Sequence, residues 1–264
     1  MKLFFTIVAG YGVLVLVAFL LQRQLLYYPE PNAPTADHLQ NLGLRFWPTA
    51  DSFRGFVANG ALEHSNGTVV VFHGNAGAAW QRGYYVDALQ PLGYQVVLAE
   101  YPGYAGRSGS PSEKALVIDA RETVQQVYEQ FGGPLILWGE SLGCGIAAAL
   151  VADSSVPLNA VVMLTPWDNL PRMAQSAYWF LPARWFVRDK YDNTANLRNF
   201  EGPVAVLIAE QDQIIPNAHS KLLYESLAGP KKLWVFPNAG HNTWPTTFYA
   251  GWWREVMAFV TNKY

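Results

Sequence analysis

Apolar positions along the chain fall into three regimes. Across residues 3–21 no charge interrupts a run dense in Leu, Val, Phe and Ile. At about 1.5 Å per residue, a helix over that run comes close to the ~30 Å hydrocarbon thickness of a bilayer. Residues 22–48 then carry Pro29, Pro31, Pro34 and Pro48 with few periodic apolar positions, and read as an irregular connector. From about Phe53 onward, short apolar runs alternate with helical patterns. The strand-like runs are 68–72, 95–99, 135–138, 160–164, 204–209 and 233–236; the helical candidates are 78–90, 112–130, 142–151, 217–228 and 246–260. Near-continuous apolar strands belong to a parallel sheet covered on both faces. Their alternation with helices demands crossover connections, so the expected class is α/β, a mostly parallel central sheet flanked by helices.

For the apolar run at residues 3–21 three readings compete: a cleaved signal peptide, a signal anchor and a buried core helix. The run is longer than the usual signal-peptide core, and cleavage after Ala18 would leave Leu16 where a small residue is wanted. A retained single-span anchor over residues 1–22 is therefore the expectation, with a connector over 23–50 and the folded domain over 51–264. Tyr27 and Tyr28 suit an aromatic belt at the membrane surface, and equally suit packing on the domain. Lys2 and the terminal amine face only Arg23, a weak bias that puts the folded domain outside.

Hydrophobic residues make up 51% of the 264 and charged residues 14%, which argues against disorder. The net charge of -2 leaves no electrostatic footprint for nucleic acid. Cys144 is the single cysteine, so no intramolecular disulfide forms; its position just after a glycine-rich turn suits a small packed residue. C-x-x-C and H-E-x-x-H patterns are absent, and the sequence calls for neither a metal nor an organic cofactor. Oligomeric state is not legible.

Chemistry concentrates where strands end. Gly139-Glu140-Ser141-Leu142-Gly143 joins a strand-like run to a buried helical pattern, the context in which G-x-S-x-G forms a nucleophile elbow. A serine hydroxyl is a poor nucleophile near neutrality and needs a base, which in turn needs an orienting acid. On an elbow frame the chain order is serine, acid, histidine. Asp212 follows the run 204–209 and His241 follows the run 233–236, both at strand carboxyl ends, where α/β sheets build their sites. Glu210 and Asp168 are the rival carboxylates. The other histidines fit less well: His38 lies in the connector, His64 in a polar segment, His219 in a helical pattern, and His73 in a separate motif. That motif, His73-Gly74-Asn75-Ala76-Gly77, closes the run 68–72. It suits an oxyanion hole made from the backbone amides of Asn75 and Leu142, with His73 orienting the loop and the Asn75 side chain incidental.

These motifs, together with residues 101–109, Pro111-Ser112-Glu113, Asp119-Ala120 and the stretch Gln22-Arg23-x-Leu25-Leu26-Tyr27-Tyr28-Pro29, make the chain similar to the α/β-hydrolase superfamily. Within it the chain resembles the Bem46-like branch, which includes ABHD13- and ABHD17-like hydrolases. Pro102 stands where such proteins often carry Arg, and Cys144 where a second Gly is common. The resemblance implies a serine hydrolase of esters, thioesters or amides, with lipid-linked acyl groups as a recurring substrate and a membrane as a partner through the N-terminal helix. A non-catalytic binding module on the same frame stays open, opposed by the complete set Ser141, Asp212 and His241. A dehalogenase-like chemistry is disfavoured, because it needs Asp where Ser141 stands. Between residues 165 and 200, Trp167, Tyr178, Trp179, Phe180, Trp185, Phe186 and Tyr191 are divided by Pro166, Pro171 and Pro182. They form either ordinary connecting helices or a short cap whose aromatics shape an apolar acyl pocket.

Overall fold

Runs too apolar for either face to meet water become the central strands of an eight-stranded sheet in the computed structural model, which describes residues 1–60, 62 and 64–261. The chain begins with α1 (Lys2–Leu26), β1 (Tyr28–Pro29), α2 (Ala36–Asn41), β2 (Leu44–Trp47), β3 (Gly55–Ala58), β4 (Thr68–Phe72) and β5 (Ala76–Gly77). It continues through α3 (Tyr84–Leu89), β6 (Gln95–Ala99), α4 (Glu113–Phe131), β7 (Leu135–Glu140), α5 (Leu142–Ala152) and β8 (Ala160–Leu164). The last part comprises α6 (Leu170–Ala177), α7 (Ala183–Phe186), α8 (Asn193–Leu197), β9 (Val204–Ala209), α9 (Asn217–Ser226), β10 (Lys231–Phe236) and α10 (Gly251–Val260).

The strand order is β10-β9-β8-β7-β4-β6-β3-β2. All pairings from β10 to β6 are parallel, and β3 and β2 are antiparallel additions at one edge. Successive side chains of a strand point to opposite faces, which divides the core in two. Val70 and Phe72 join Leu137, Ile146, Met163 and Val206 on one face, whereas Val69 and Val71 join Trp138, Val162, Leu207 and Trp253 on the other. α4 starts where the Ser112 side chain accepts from the Ala115 amide at 3.2 Å, and stops at Gly132, whose φ of 71° suits glycine.

Several expectations shift. The connector is not irregular throughout: Thr35 caps α2, and Leu44–Trp47 forms the edge strand β2 against Gly55–Ala58. The helical pattern at 78–90 divides into a 3₁₀ turn over Ala79–Arg82 and α3, and the one at 246–260 becomes helical only from Gly251. Residues 165–200 hold three short helices: α8 packs against α5, whereas the α6–α7 segment lies along α1. α1 is long and apolar enough to cross a membrane, by length and composition.

Candidate active site

Each catalytic candidate sits on a turn at the carboxyl end of a strand. Ser141 occupies the turn from β7 into α5 with φ 51° and ψ −111°, a conformation that side chains other than glycine rarely adopt. The turn closes only because its flanks lack side chains. A Cβ on Gly143 would lie 1.9 Å from the Phe72 carbonyl oxygen, and one on Gly139 would lie 2.5 Å from Cys144 Cα. Buried Cys144 aims its thiol at the carbonyls of Gly139 and Leu164, and burial pushes its pKa well up, as befits a packed residue.

His241, from the loop after β10, places Nε2 3.0 Å from Ser141 Oγ and Nδ1 2.7 Å from Asp212 Oδ2. The carboxylate can only accept from Nδ1–H, so the network assigns Nε2 as the acceptor for the serine hydroxyl. Asp212, on the loop after β9, is itself fixed: its Oδ1 accepts from the amides of Ile214 at 2.9 Å and Ile215 at 2.8 Å. The rival acids are engaged elsewhere. Glu210 accepts from the Asn238 amide, and Asp168 from His219 and Arg172. Ser141, Asp212 and His241 thus meet from three loops.

The amides of Asn75 and Leu142 fit the oxyanion expectation in one respect. Among the described residues neither N–H donates to a protein acceptor. Leu142 opens the 11-residue helix α5, where unpaired amides and the dipole favour negative charge. The Asn75 side chain departs from the sequence reading. It donates to the Leu26 carbonyl at 2.8 Å, tying the 73–77 loop to the end of α1. The chain after α1 continues the tie, since β1 pairs in parallel with β5 and the Tyr28 amide donates to the Asn75 carbonyl.

His73 is buried, with Nδ1 2.7 Å from the Gly74 carbonyl and Nε2 3.0 Å from Glu100 Oε1, far from a proton-transfer geometry with Ser141. It orients the loop, with a carboxylate that sequence reasoning missed. Glu100 also accepts from the amides of Ala79 and Tyr101. Its signal was an acid placed directly after the apolar run 95–99. A second missed group backs the elbow: Glu140 accepts from the hydroxyls of Tyr84 and Tyr85, at 3.0 and 3.1 Å, and from Arg82. Burial and then the Glu140 charge push both tyrosine pKa values up; burial opposes the Arg82 charge most strongly of any single cause, but Glu140 together with Tyr84 and Tyr85 outweighs it and holds the guanidinium charged. Arg82 also donates to the Ala76 carbonyl, so the elbow and the 73–77 loop share a brace.

A second Asp–His–Ser arrangement exists. His219 Nδ1 lies 2.7 Å from Asp168 Oδ1 and its Nε2 3.1 Å from Ser176 Oγ. Ser176 lies within α6 and donates to the Arg172 carbonyl, without an elbow or free amides in front of it. This set joins α6 to α9.

Residues 67–200 match the family model described as the alpha/beta hydrolase fold. The chain belongs to the α/β-hydrolase fold family. This α/β hydrolase is 32% identical over 230 residues to an uncharacterized protein of Mycobacterium tuberculosis, covering 84% of this chain and 80% of that one. It is 32% identical over 192 residues to the lysophosphatidylserine lipase ABHD12 of Danio rerio, covering 66% of this chain and 50% of the lipase. An esterase of Pyrococcus furiosus superposes with a TM-score of 0.69, covering 90% of this chain and 97% of the esterase; at 16% identity that likeness speaks for the fold. The family and the lipase relative support hydrolase chemistry of the esterase or lipase kind for this α/β hydrolase.

Proposed function

We propose that the protein is a serine hydrolase that cleaves carboxylic ester or thioester bonds of apolar, lipid-like acyl substrates. The observation that carries this reading is the continuous relay from Asp212 through His241 to the strained Ser141. Ser141 Oγ attacks the acyl carbonyl carbon while His241 Nε2 takes its proton. The amides of Asn75 and Leu142 hold the oxyanion, and Asp212 keeps the imidazole in the required tautomer and stabilises its charged form. Collapse breaks the bond to the leaving alcohol or thiol, which receives the proton from His241. An acyl-enzyme remains on Ser141. Water, deprotonated by His241, attacks it and releases the acid. The apolar helix α1 serves as a membrane anchor in this reading, and the relative described as a lysophosphatidylserine lipase supports a lipid-like substrate.

The decisive experiment is fluorophosphonate labelling of the wild type and of Ser141→Ala. The expected result is labelling of the wild type alone. A folded wild type that stays unlabelled, or equal labelling of the variant, overturns the assignment.

A further inference from the structure

A cavity of about 270 Å³ lies beside the candidate site, and α1 forms one of its walls. Val15, Ala18 and Phe19 line it from α1, and Met173, Ala177 and Phe186 from the α6–α7 segment. Its inner end is reached by Asn75, which carries a proposed oxyanion amide, and by Ile214, whose own amide is bonded to Asp212. The volume is at the small end for ligand cavities, which suits one acyl chain rather than two.

The same wall fixes how the α6–α7 segment stands relative to α1. The Tyr11 hydroxyl donates to the Phe180 carbonyl at 2.9 Å, the Phe19 and Phe186 rings meet edge to face, and Arg188 lies over Phe19. Tyr11 precedes Arg23 by twelve residues, or ~18 Å of helix, more than half of a ~30 Å hydrocarbon layer. If α1 crosses a bilayer with Arg23 at its surface, the tip of this segment must lie near the middle of the hydrocarbon layer.

Its surface is built for that place. Trp179 is 80% exposed and Trp185 73%, beside half-exposed Tyr178, Phe180 and Phe186. In water such a turn leaves its carbonyls to the solvent; in hydrocarbon each needs a protein donor. Here all four carbonyls from Tyr178 to Leu181 have one: the Leu181 amide donates to Tyr178, the two hydrogens of Gln175 Nε2 serve Trp179 and Leu181, and the Tyr11 hydroxyl donates to Phe180. Residues 169–188 contain three arginines and neither Asp nor Glu. Arg172 is paired with Asp168, Arg184 lies over Trp185 and Arg188 over Phe19, so each guanidinium has a protein partner.

We infer that the α6–α7 segment is immersed in the bilayer beside α1, its tip near the midplane, and that the cavity between them takes the single acyl chain of a membrane lipid ester laterally from the bilayer. The acyl role of the cavity rests on the hydrolase reading; the immersion does not. The test uses the full chain in phosphatidylcholine vesicles. Trp179→Cys carries an environment-sensitive nitrobenzoxadiazole label, with Ser52→Cys, on the turn between β2 and β3, as control. Lipids brominated on their acyl chains are expected to quench the label at 179 and spare the one at 52. An unquenched label at 179 overturns the immersion.

Ala177→Trp and Ala18→Trp fill the cavity from opposite walls. Each is expected to lower the ratio of kcat/KM for dodecanoyl over butanoyl esters by roughly tenfold or more. An unchanged ratio in either variant with a wild-type melting temperature overturns the acyl cavity. Fluorophosphonate labelling of the wild type in the same vesicles separates the two readings: its absence removes the hydrolase and the acyl cavity together, while quenching still decides the immersion.

Discussion

Asp212 is held by two backbone amides and holds His241 in turn, so its value lies in geometry as much as in charge. Asp212→Asn preserves the shape but lets an amide N–H face Nδ1, which favours the wrong tautomer. The expected loss in kcat is of order 10⁴-fold, the magnitude known for the equivalent change in a serine protease. A base must be neutral to accept a proton, so kcat/KM for a neutral ester is expected to rise along an acid limb to a plateau as pH increases. A flat profile would remove His241 from the mechanism. Glu100→Gln turns one acceptor oxygen into a donor among three N–H groups, at a cost of about 1–3 kcal/mol, read by denaturant unfolding. For Cys144 the sign is also determined. Burial pushes the thiol pKa up, the reactive thiolate is therefore scarce even at mildly alkaline pH, and iodoacetamide is expected to modify it only after unfolding.

At the scale of elements, the elbow tolerates little. Gly143→Ala would drive a Cβ into the Phe72 carbonyl, and an increase in size without room costs at least 1–3 kcal/mol and displaces the turn, so loss of both stability and serine labelling is expected. The pairing of α6 with α9 through Asp168, His219 and Ser176 is a latch of another kind. His219→Ala leaves the buried Asp168 carboxylate with Arg172 alone, and faster amide hydrogen exchange confined to α6 is the expected sign. Strands β4 and β6 to β9 were legible because burial on both faces turns a parallel strand into a near-unbroken apolar run, and the partly exposed edge strand β10 was legible only over its apolar residues 233–236. β2 and β3 were not: each has four residues, and Leu44–Trp47 reads as a strand only once Gly55–Ala58 lies beside it. The site followed the same division. Ser141, Asp212 and His241 announce themselves by standing after apolar runs, whereas the partners Asp168 and His219, 51 residues apart, carry no local signal.

Across the whole molecule, the sheet and the chain that precedes it are not independent parts. Leu26, Tyr28 and Glu30 each bond to the stretch from Asn75 to Gly77, and Glu30 accepts from the Ala105 amide as well. A chain shortened to begin at Ala36 keeps every strand of the eight-stranded sheet and is expected to fold, but its oxyanion loop loses those ties. If one oxyanion donor drifts, the expected fall in kcat is roughly 10²-fold or more, measured on a short water-soluble ester so that lipid access plays no part. The tether is therefore also an address label that the chemistry itself checks. On the proposed reading, a protease that cut the chain between Glu30 and Ala36 would release a domain stripped of all three ties, its activity already lowered, so that hydrolysis would stay with the tethered form.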